Sequence, residues 1–193
     1  MRVIAGQYRS RLLKSLKGLA LRPTSDKLRE TLFNVLGPQI AGSHFIDLFA
    51  GTGAVGIEAL SRGAAEVVFI ENHPPAAALI RKNLESLGIR LNASIHSADA
   101  LRGLQTLSSR RAPLAKFGYA FLDPPYANAD DYLRVLNYLG AAEFLSPDAI
   151  IIAEHRHTFS LPESAGSLAR VRILKQGDAA LTFYRRTSPK TLP

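Results

Sequence analysis

The sequence of 193 residues contains no cysteine, which excludes disulfides, thiolate metal sites and a cysteine nucleophile. It also lacks long apolar runs. Its longest uninterrupted apolar runs are short, such as Ala149 to Ala153, whereas a membrane span needs roughly 20 apolar residues. The amino terminus, Met1 to Gly6, is positively charged but has no apolar segment of the kind found in a secretory signal. These absences predict a cytoplasmic protein with no membrane span.

Acidic residues are scarce at both ends of the chain. The net charge is +8, from 24 basic and 16 acidic residues. Residues 1–35 contribute +6 and residues 156–193 contribute +5, whereas residues 36–155 contribute −3. Basic ends favour a polyanionic partner such as nucleic acid. Surface charge that is merely solvated, with no binding partner, would give the same net charges for the three stretches.

The length and composition suit one globular domain. Hydrophobic residues make up 47% of the chain, and the mean hydropathy is +0.03. A chain of this size can bury a substantial core. We therefore expect a single domain over residues 1–193, with a short basic arm or hairpin at residues 1–22 and a core at residues 23–193.

Strand and helix patterns alternate through the core. A first helix is predicted after Pro23, and Gly37-Pro38 ends it. Repeated strand–helix–strand units predict an α/β fold with a mostly parallel sheet covered by helices on both faces. The last two strands flank Gln176-Gly177-Asp178 and predict an antiparallel hairpin. The seven predicted strands are at 44–49, 66–71, 92–97, 117–123, 149–154, 168–175 and 179–185, and helices are predicted at about 54–62, 74–87, 99–108 and 129–139.

A glycine-rich turn follows the first predicted strand. Gly51, Gly53 and Gly56 have the G-x-G-x-x-G spacing of a nucleoside-binding loop. Glu71 ends the next strand, where an acidic side chain can accept hydrogen bonds from ribose hydroxyls. Glycines at this spacing also occur where a helix merely packs against a strand. With Glu71 in place, the pattern predicts a nucleoside cofactor, either a nicotinamide dinucleotide or S-adenosylmethionine.

Two aspartates bear on this choice. Asp47 lies near the end of the first strand, where its carboxylate would repel a diphosphate but suit the ammonium group of S-adenosylmethionine. Asp99 follows the third strand. It can bond the adenine amino group, cap the following helix, or do both. Asp47 therefore favours S-adenosylmethionine.

The tetrapeptide Asp123-Pro124-Pro125-Tyr126 follows the fourth strand, at the edge where catalytic residues of such folds collect. The two prolines remove two N–H donors, and the residue before a proline is held extended. The Asp123 carboxylate and the Pro124 carbonyl would accept hydrogen bonds from a planar amine, and Tyr126 would stack on its base. A turn that merely ends the strand is the alternative. By itself the tetrapeptide predicts a site for a planar amino nitrogen, and the glycine loop with Asp47 and Glu71 turns this into a prediction of methyl transfer.

Together these motifs resemble the RsmD-type 16S ribosomal RNA guanine-N2 methyltransferases, within the Rossmann-like class I methyltransferases. The resemblance extends over nearly the whole chain. The glycine loop and the DPPY tetrapeptide are common to many amino-methyltransferases, whereas the segment at 21–34 is more specific to this family. The matching stretches are MRVIAGQYR (1–9), LRPTSDKLRETLFN (21–34), DLFAGTGAVGIEALSRGA (47–64) and DPPY (123–126).

The resemblance implies methyl transfer from S-adenosylmethionine to the exocyclic N2 of one guanine in 16S rRNA, either naked or in the assembling small ribosomal subunit. Pro23 and Thr24 would flank the cleft. The implied target-amine residues are Asp123, Pro124, Pro125 and Tyr126, and the implied cofactor residues are Asp47, Phe49, Ala50, Gly51, Thr52, Gly53, Glu71, Asp99 and Ala100. The candidates for RNA contacts are Arg9, Arg11, Lys14, Arg22, Arg185 and Arg186.

Three other functions fit parts of the pattern. An oxidoreductase could use the glycine loop, but Asp47 and the DPPY tetrapeptide would then have no role. A non-catalytic RNA-binding or ribosome-assembly module would not need the catalytic positions, all of which are filled. An amino-methyltransferase acting on adenine N6 of RNA or DNA would also carry DPPY, although 193 residues leave little room for a DNA-recognition domain.

His155 and His157 follow the fifth predicted strand and alternate, so they would share one face if the strand continued. Histidines without carboxylate or thiolate partners are weak evidence for a metal site, so we expect no metal. Glu154, beside them, is expected to shape the pocket. We expect a monomer.

Overall fold

The computed structural model describes residues 1–15, 24–109, 116–125 and 129–187. Its centre is one eight-stranded sheet in the order β3-β2-β1-β4-β5-β8-β7-β6. The first five of these positions are parallel neighbours, and the last three strands are antiparallel. The strands are β1 (His44–Leu48), β2 (Glu66–Ile70), β3 (Ala93–His96), β4 (Phe117–Leu122), β5 (Leu145–Arg156), β6 (Ser164–Ala165), β7 (Leu168–Gln176) and β8 (Ala179–Arg186).

Within the described residues, five α-helices connect and cover these strands. Ser25 caps the first helix, because its side chain accepts a hydrogen bond from the Leu28 amide at 3.1 Å. Pro74 and Pro75 occupy the first turn of the third helix, where their missing N–H groups cost nothing. The helices are α1 (Asp26–Leu36), α2 (Ala54–Ser61), α3 (Pro74–Ser86), α4 (Ala100–Ser109) and α5 (Ala129–Ala141), and a 3₁₀ turn at Gly37–Ile40 follows α1.

The helices form two layers because alternate side chains of the parallel strands face opposite sides. One face of the sheet, including Phe45, Phe69 and Phe121, packs against α1, α2 and α3. The other face, including Ile46 and Leu122, packs against α4 and α5. The predicted mostly parallel α/β sheet with a terminal antiparallel hairpin is thereby confirmed.

Two details of the sheet were not predicted. β5 begins at Leu145 rather than near Ala149, because Leu145 pairs with Phe117 before a register shift in β4. The polar Ser146-Pro147-Asp148 segment hid this start from a search for apolar runs. The eighth strand, β6, has only two residues and pairs with the first two residues of β7. A pattern of period two cannot be recognised in so short a segment.

The strand order places a crevice at the centre of the sheet. β1 pairs with β2 on one side and with β4 on the other. The connection after β1 leads to α2 on one face of the sheet, and the connection after β4 leads to α5 on the other face, so the two connections separate around a crevice. Ligands of open α/β sheets bind in this position. Among the residues described, no helix combines the length and apolar composition needed to cross a bilayer.

The basic arm forms a hairpin over its described part, residues 1–15. The Val3 amide donates to the Arg11 carbonyl at 3.0 Å, and the Leu13 amide donates to the Met1 carbonyl at 3.1 Å. Val3 and Leu13 are buried in the same core cluster as α1, α2 and α3. The hairpin expected from the sequence is thus ordered against the core. The rest of the predicted arm, residues 16–22, lies outside the described residues.

A buried carboxylate anchors this hairpin to α2. Glu58 is 0% exposed, and it accepts hydrogen bonds from the amides of Ile4 at 2.8 Å and Ala5 at 3.0 Å. The Arg62 side chain also donates to Glu58, at 2.8 Å. A buried charge is tolerated only when such partners compensate it. Arg29 of α1 is also buried, and its guanidinium donates a hydrogen bond to the Arg2 carbonyl of the hairpin at 2.6 Å. The hairpin is therefore held by two helices.

Gly6 allows the hairpin to approach the end of α2. A Cβ atom at Gly6 would lie 1.8 Å from the Ser61 carbonyl oxygen, and the backbone there has φ +81°. Gly42 offers a matched control, because its φ is +74° but a Cβ would meet nothing within 4 Å.

We predict that Gly6→Ala lowers the free energy of unfolding more than Gly42→Ala does. Both variants force a left-handed alanine, which costs about 1–2 kcal/mol. Gly6→Ala adds a clash with backbone, for a further cost of roughly 1–3 kcal/mol. Urea unfolding measures both, and hydrogen exchange at the Ile4 and Ala5 amides reports release of the hairpin. Equal losses in the two variants would contradict the close approach.

Candidate active site

Among the described residues, five acidic side chains lie along the carboxyl edge of the parallel strands, on both sides of the central crevice. Three of them are buried: Asp47 in β1, Glu71 after β2, and Glu154 in β5. Asp99 follows β3, and Asp123 follows β4. The carboxyl ends of parallel strands share one edge, so the fold itself gathers these residues.

The Glu71 carboxylate braces the glycine loop against the end of β2. Its Oε2 accepts a hydrogen bond from the Gly51 amide at 2.7 Å, and its Oε1 accepts one from the His73 amide at 2.8 Å. Each carboxylate oxygen has two acceptor sites. The ribose contact predicted for Glu71 is compatible with these bonds and stays a prediction.

The loop conformation also depends on Phe49 and Gly56. Phe49 adopts φ +57°, which is rare for a bulky residue and is a form of strain found at ligand sites. A Cβ at Gly56 would lie 2.3 Å from the Phe69 ring, so the third glycine of the motif lets α2 pack on the sheet. Of the three glycines, Gly56 therefore serves helix packing, as in other loops with this spacing.

Asp47 has a role that the sequence did not reveal. It is 2% exposed, and its Oδ2 accepts a hydrogen bond from the Gly56 amide in the first turn of α2 at 2.8 Å. Gly53 precedes the helix and has no side chain with which to cap it. Asp47 supplies the missing acceptor from the neighbouring strand. The acidic side chain thus lies on the amino end of α2.

Burial raises the pKa of Asp47 from 3.8 to about 8. The Gly56 hydrogen bond opposes this rise, and the charge of Glu71 adds to it. The loss of hydration is the dominant cause, because a carboxylate is much better solvated in water than in a protein core. A cation placed beside Asp47 would stabilise its charged form.

Asn83 of α3 connects the glycine loop to the hairpin. It is fully buried, and its Nδ2 donates to the Thr52 carbonyl at 3.0 Å. Its Oδ1 accepts from the Lys14 amide at 2.8 Å. Asn83 was not among the predicted site residues. The available signal was a polar side chain between Ile80 and Leu84 on the apolar face of a predicted helix.

Asp99 caps α4, which is one of the two roles considered for it from the sequence. Its Oδ1 accepts a hydrogen bond from the Arg102 amide at 3.1 Å. Ala100 is buried at the first turn of that helix. Contacts of either residue with an adenine stay predictions.

Asp123 and Glu154 directly follow Leu122 and Ala153, the last residues paired between β4 and β5. Phe121 of β4 pairs with Ile152 of β5, and Asp123 and Glu154 each lie two residues further along. Asp123 is half-buried, Pro124 is buried and Pro125 is exposed. The fourth member of the motif, Tyr126, lies outside the described residues. The structure therefore places an aspartate and a rigid Pro-Pro turn at the crevice.

Glu154 faces the start of α1. Its Oε2 accepts a hydrogen bond from the Thr24 hydroxyl at 2.7 Å, and both residues are buried. Its backbone carbonyl accepts one from the Tyr132 hydroxyl at 2.7 Å. The expectation that Thr24 flanks the cleft is consistent with this bond. Pro23 and Arg22 lie outside the described residues.

The ring nitrogens of His155 are both in hydrogen bonds. Nε2 lies 2.8 Å from the Thr182 hydroxyl, and Nδ1 lies 2.8 Å from the Arg156 carbonyl oxygen. Burial lowers the pKa of His155, which favours the neutral ring. In the described ranges no group of three or more histidine, aspartate or glutamate side chains could hold a metal ion.

The basic residues predicted to meet RNA lie on two separate surfaces. Arg9, Arg11 and Lys14 are exposed on the hairpin, and Arg11 also donates to the Ser86 carbonyl at 3.1 Å. Arg185 is exposed on β8 opposite Ile150, towards the start of β5 and away from the crevice. Arg186 extends its guanidinium to the carbonyls of Leu139, Ala142 and Leu145.

Known proteins resemble this chain over most of its length. The family model described as conserved hypothetical protein 95 matches residues 1–185. Putative rRNA methyltransferase YlbH of Bacillus subtilis (strain 168) is 36% identical over 186 residues, which are 96% of this chain and 99% of the relative. Ribosomal RNA small subunit methyltransferase D of Escherichia coli (strain K12) is 34% identical over 186 residues, covering 96% of this chain and 90% of the relative.

A solved structure also matches. The putative methyltransferase yhhF from Escherichia coli superposes with a TM-score of 0.82 at 31% identity, covering 98% of this chain and 99% of that one. This match confirms the predicted class I methyltransferase fold.

We predict that Asp47→Asn removes a pH dependence of folding stability. With a pKa of about 8 in the folded protein against 3.8 ordinarily, the folded state holds one more proton than the unfolded state between these values. The contribution of Asp47 to the free energy of unfolding is therefore fully present below about pH 4 and is lost as pH rises towards 8. An asparagine keeps the acceptor for Gly56 but does not titrate.

The measurement is the free energy of unfolding in urea from pH 5 to 9. The wild-type protein should lose stability relative to Asp47→Asn as pH rises. Parallel profiles for the two proteins would show that Asp47 does not titrate in this range.

Proposed function

The chain belongs to the conserved hypothetical protein 95 family, which is the RsmD family that its sequence resembles, and from this we propose that it is an rRNA (guanine-N2)-methyltransferase. It transfers a methyl group from S-adenosylmethionine to the exocyclic N2 of a guanine in 16S rRNA. Both curated relatives described above are named as ribosomal RNA methyltransferases, and one name specifies the small subunit. We also propose a single domain over residues 1–193, acting as a cytoplasmic monomer without a metal.

The observation that carries the choice of cofactor is the position of the Asp47 carboxylate. A dinucleotide places its pyrophosphate on the amino end of the helix after the glycine loop. Here that position is taken by Asp47, whose Oδ2 lies 2.8 Å from the Gly56 amide. The ammonium group of S-adenosylmethionine would instead meet the buried Asp47 carboxylate and stabilise its charged form. The residues of this edge therefore fit S-adenosylmethionine better than NAD.

We assign the cofactor to the loop and strand ends predicted for it. Asp47 would face the ammonium group, Glu71 the ribose and Asp99 the adenine. The loop residues Phe49, Ala50, Gly51, Thr52 and Gly53, with Ala100, would line the site. The bound sulfonium would supply an electrophilic methyl group beside the end of β4.

The residues after β4 suit an amine as the methyl acceptor. The lone pair of guanine N2 is delocalised into the ring, so the amine is a weak nucleophile. Hydrogen bonds from N2 to the Asp123 carboxylate and the Pro124 carbonyl would orient it and favour the developing positive charge. Pro124 cannot donate a backbone hydrogen bond, and its fixed φ keeps the turn rigid. The guanine must leave its stack to reach this turn.

We predict that Asp123→Ala abolishes transfer but leaves cofactor binding nearly intact, because Asp123 serves the amine and the cofactor lies over β1 and β2. Nucleoside mass spectrometry of rRNA from a deletion strain should show the loss of one N2-methylguanosine. The wild-type gene should restore it, and the Asp123→Ala gene should not.

Calorimetry with S-adenosylhomocysteine provides the control for folding and cofactor binding. The purified variant should bind it with nearly wild-type affinity. Normal methylation by Asp123→Ala would place the active site elsewhere. Loss of N6-methyladenosine instead of N2-methylguanosine would identify a different base, and binding of NAD but not S-adenosylhomocysteine would exclude the reaction.

We predict that removing three charges from the hairpin weakens RNA binding and flattens its salt dependence. Arg9, Arg11 and Lys14 are exposed on one hairpin. Replacing all three with alanine should reduce the slope of log affinity against log salt by about 2–3 if each meets a phosphate. The matched control removes three exposed charges elsewhere, at Arg102, Lys116 and Arg134. Equal slopes for the two triple variants would count against the hairpin as an RNA contact.

A further inference from the structure

We propose that Glu154 selects guanine over the other bases, by accepting a hydrogen bond from guanine N1–H while the adjacent N2–H₂ faces Asp123. This inference deepens the proposed function and rests on it. It assigns a recognition role to a residue that the methyl-transfer chemistry does not itself need.

The sheet register places the two carboxylates side by side. Phe121 and Ile152 are partners in β4 and β5, and both face the α1 layer of the core. Side chains two residues apart on a strand share a face. Asp123, kept extended by the proline that follows it, and Glu154 therefore lie on the same face, on strands about 4.8 Å apart. Guanine N1–H and N2–H₂ are likewise adjacent and lie on one edge of the base.

A cavity of about 320 Å³ opens beside Glu154. It lies between the start of α1 and the turn that joins β7 to β8, and its lining includes Ser25, Leu28, Glu154, Gln176 and Gly177. Small-molecule sites begin at about 300 Å³, so the space is large enough for a base. In the strand order, β5 with Glu154 lies between β4, which precedes Asp123, and the β7–β8 turn that lines the cavity, and the proposed cofactor position over β1 and β2 is on the far side of β4. A base that enters here and extends past Glu154 towards the end of β4 would present its edge to both carboxylates.

The cavity lining includes two acceptors for the donors of guanine, in Glu154 and Gln176, besides a donor, the Lys27 ammonium. An ionised carboxylate only accepts hydrogen bonds. In addition, Gln176 Oε1 is buried in its lining and has no hydrogen-bond partner in the described part of the chain. Adenine and cytosine each place a ring-nitrogen acceptor next to their amino group, and that acceptor would face Glu154. Of these three amino bases, only guanine carries a ring N–H beside its amine.

Thr24 is the positioning residue for Glu154. Its hydroxyl donates to Glu154 Oε2 at 2.7 Å, and both side chains are buried. This bond limits the orientations of the carboxylate before the base arrives. It also connects the Arg-Pro-Thr segment, which distinguishes the family resemblance, to the recognition of the base.

The test compares guanine with 2-aminopurine at the position mapped by the mass spectrometry above. 2-Aminopurine keeps the amino group, but its N1 is an acceptor. The RNA is supplied naked or assembled, in whichever form the wild-type protein methylates. The wild-type protein should prefer guanine by at least about 100-fold in kcat/KM, because a site built to accept a hydrogen bond rejects a base lacking the donor.

Glu154→Gln is the informative variant, since its amide N–H can donate to N1 of 2-aminopurine. We expect kcat/KM for guanine to fall at least about 10-fold, and the ratio of 2-aminopurine to guanine to rise at least about 10-fold. Glu163→Gln is the matched control. It makes the same chemical change at a side chain that is 89% exposed, and it should leave the ratio unchanged. Calorimetry with S-adenosylhomocysteine and urea unfolding check that the variant is folded.

The outcomes separate the inference from the proposed function. A purely structural role for Glu154 would lower methylation of both bases equally, and an unchanged ratio overturns the inference. Should Glu154→Gln fail to fold, Thr24→Val tests the same carboxylate by releasing it from its hydroxyl donor. It should lower discrimination between the bases, and wild-type discrimination would overturn the inference. A wild-type protein that methylates no guanine N2 in rRNA instead refutes the proposed function itself.

Discussion

The hydrogen bond between the Gly56 amide and Asp47 Oδ2 determines how the chain leaves β1 and begins α2. A glycine at the N-cap offers no side-chain acceptor, so the strand supplies one. The orientation of α2 then places Glu58 and Ser61 where the hairpin docks on them. Asn83 connects that hairpin back to the Thr52 carbonyl of the loop. One buried carboxylate thus supports the loop, the helix and the hairpin together.

Buried acidic side chains at the carboxyl edge are costly for folding alone. Asp47, Glu71 and Glu154 are each less than 9% exposed, and burial opposes their charged forms. Their hydrogen bonds to Gly56, Gly51 and Thr24 compensate part of this cost. Apolar residues at these positions would cost less to bury. Polar residues that oppose stability are expected at functional sites, which supports the proposed binding roles of these three carboxylates.

The local patterns of the sequence predicted the helices and most strands, because apolar spacing, prolines and glycines act over a few residues. They did not predict the contacts that assemble the site. Glu58 meets the Ile4 amide 54 residues away, and Thr24 meets Glu154 across 130 residues. No spacing rule connects such pairs. The positions of the glycine loop and Asp123 after strands could be predicted because their sequence signals are local, whereas the contacts of Asn83 with Thr52 and of Glu154 with Thr24 required the fold.

The same distinction applies to charge. The basic residues at the two ends were predicted to form a positive surface, but some of them are buried or donate hydrogen bonds to backbone carbonyls within the fold. Arg29 is 0% exposed and donates to the Arg2 carbonyl, and Arg186 lies against carbonyls near the end of α5. Arg185, on the same strand as Arg186, pairs with Ile150 and so lies away from the carboxyl end of β5. The exposed charges of the hairpin belong to an element that contacts the glycine loop through Asn83. The proposed RNA contacts are therefore better tested on the hairpin than at Arg185 and Arg186.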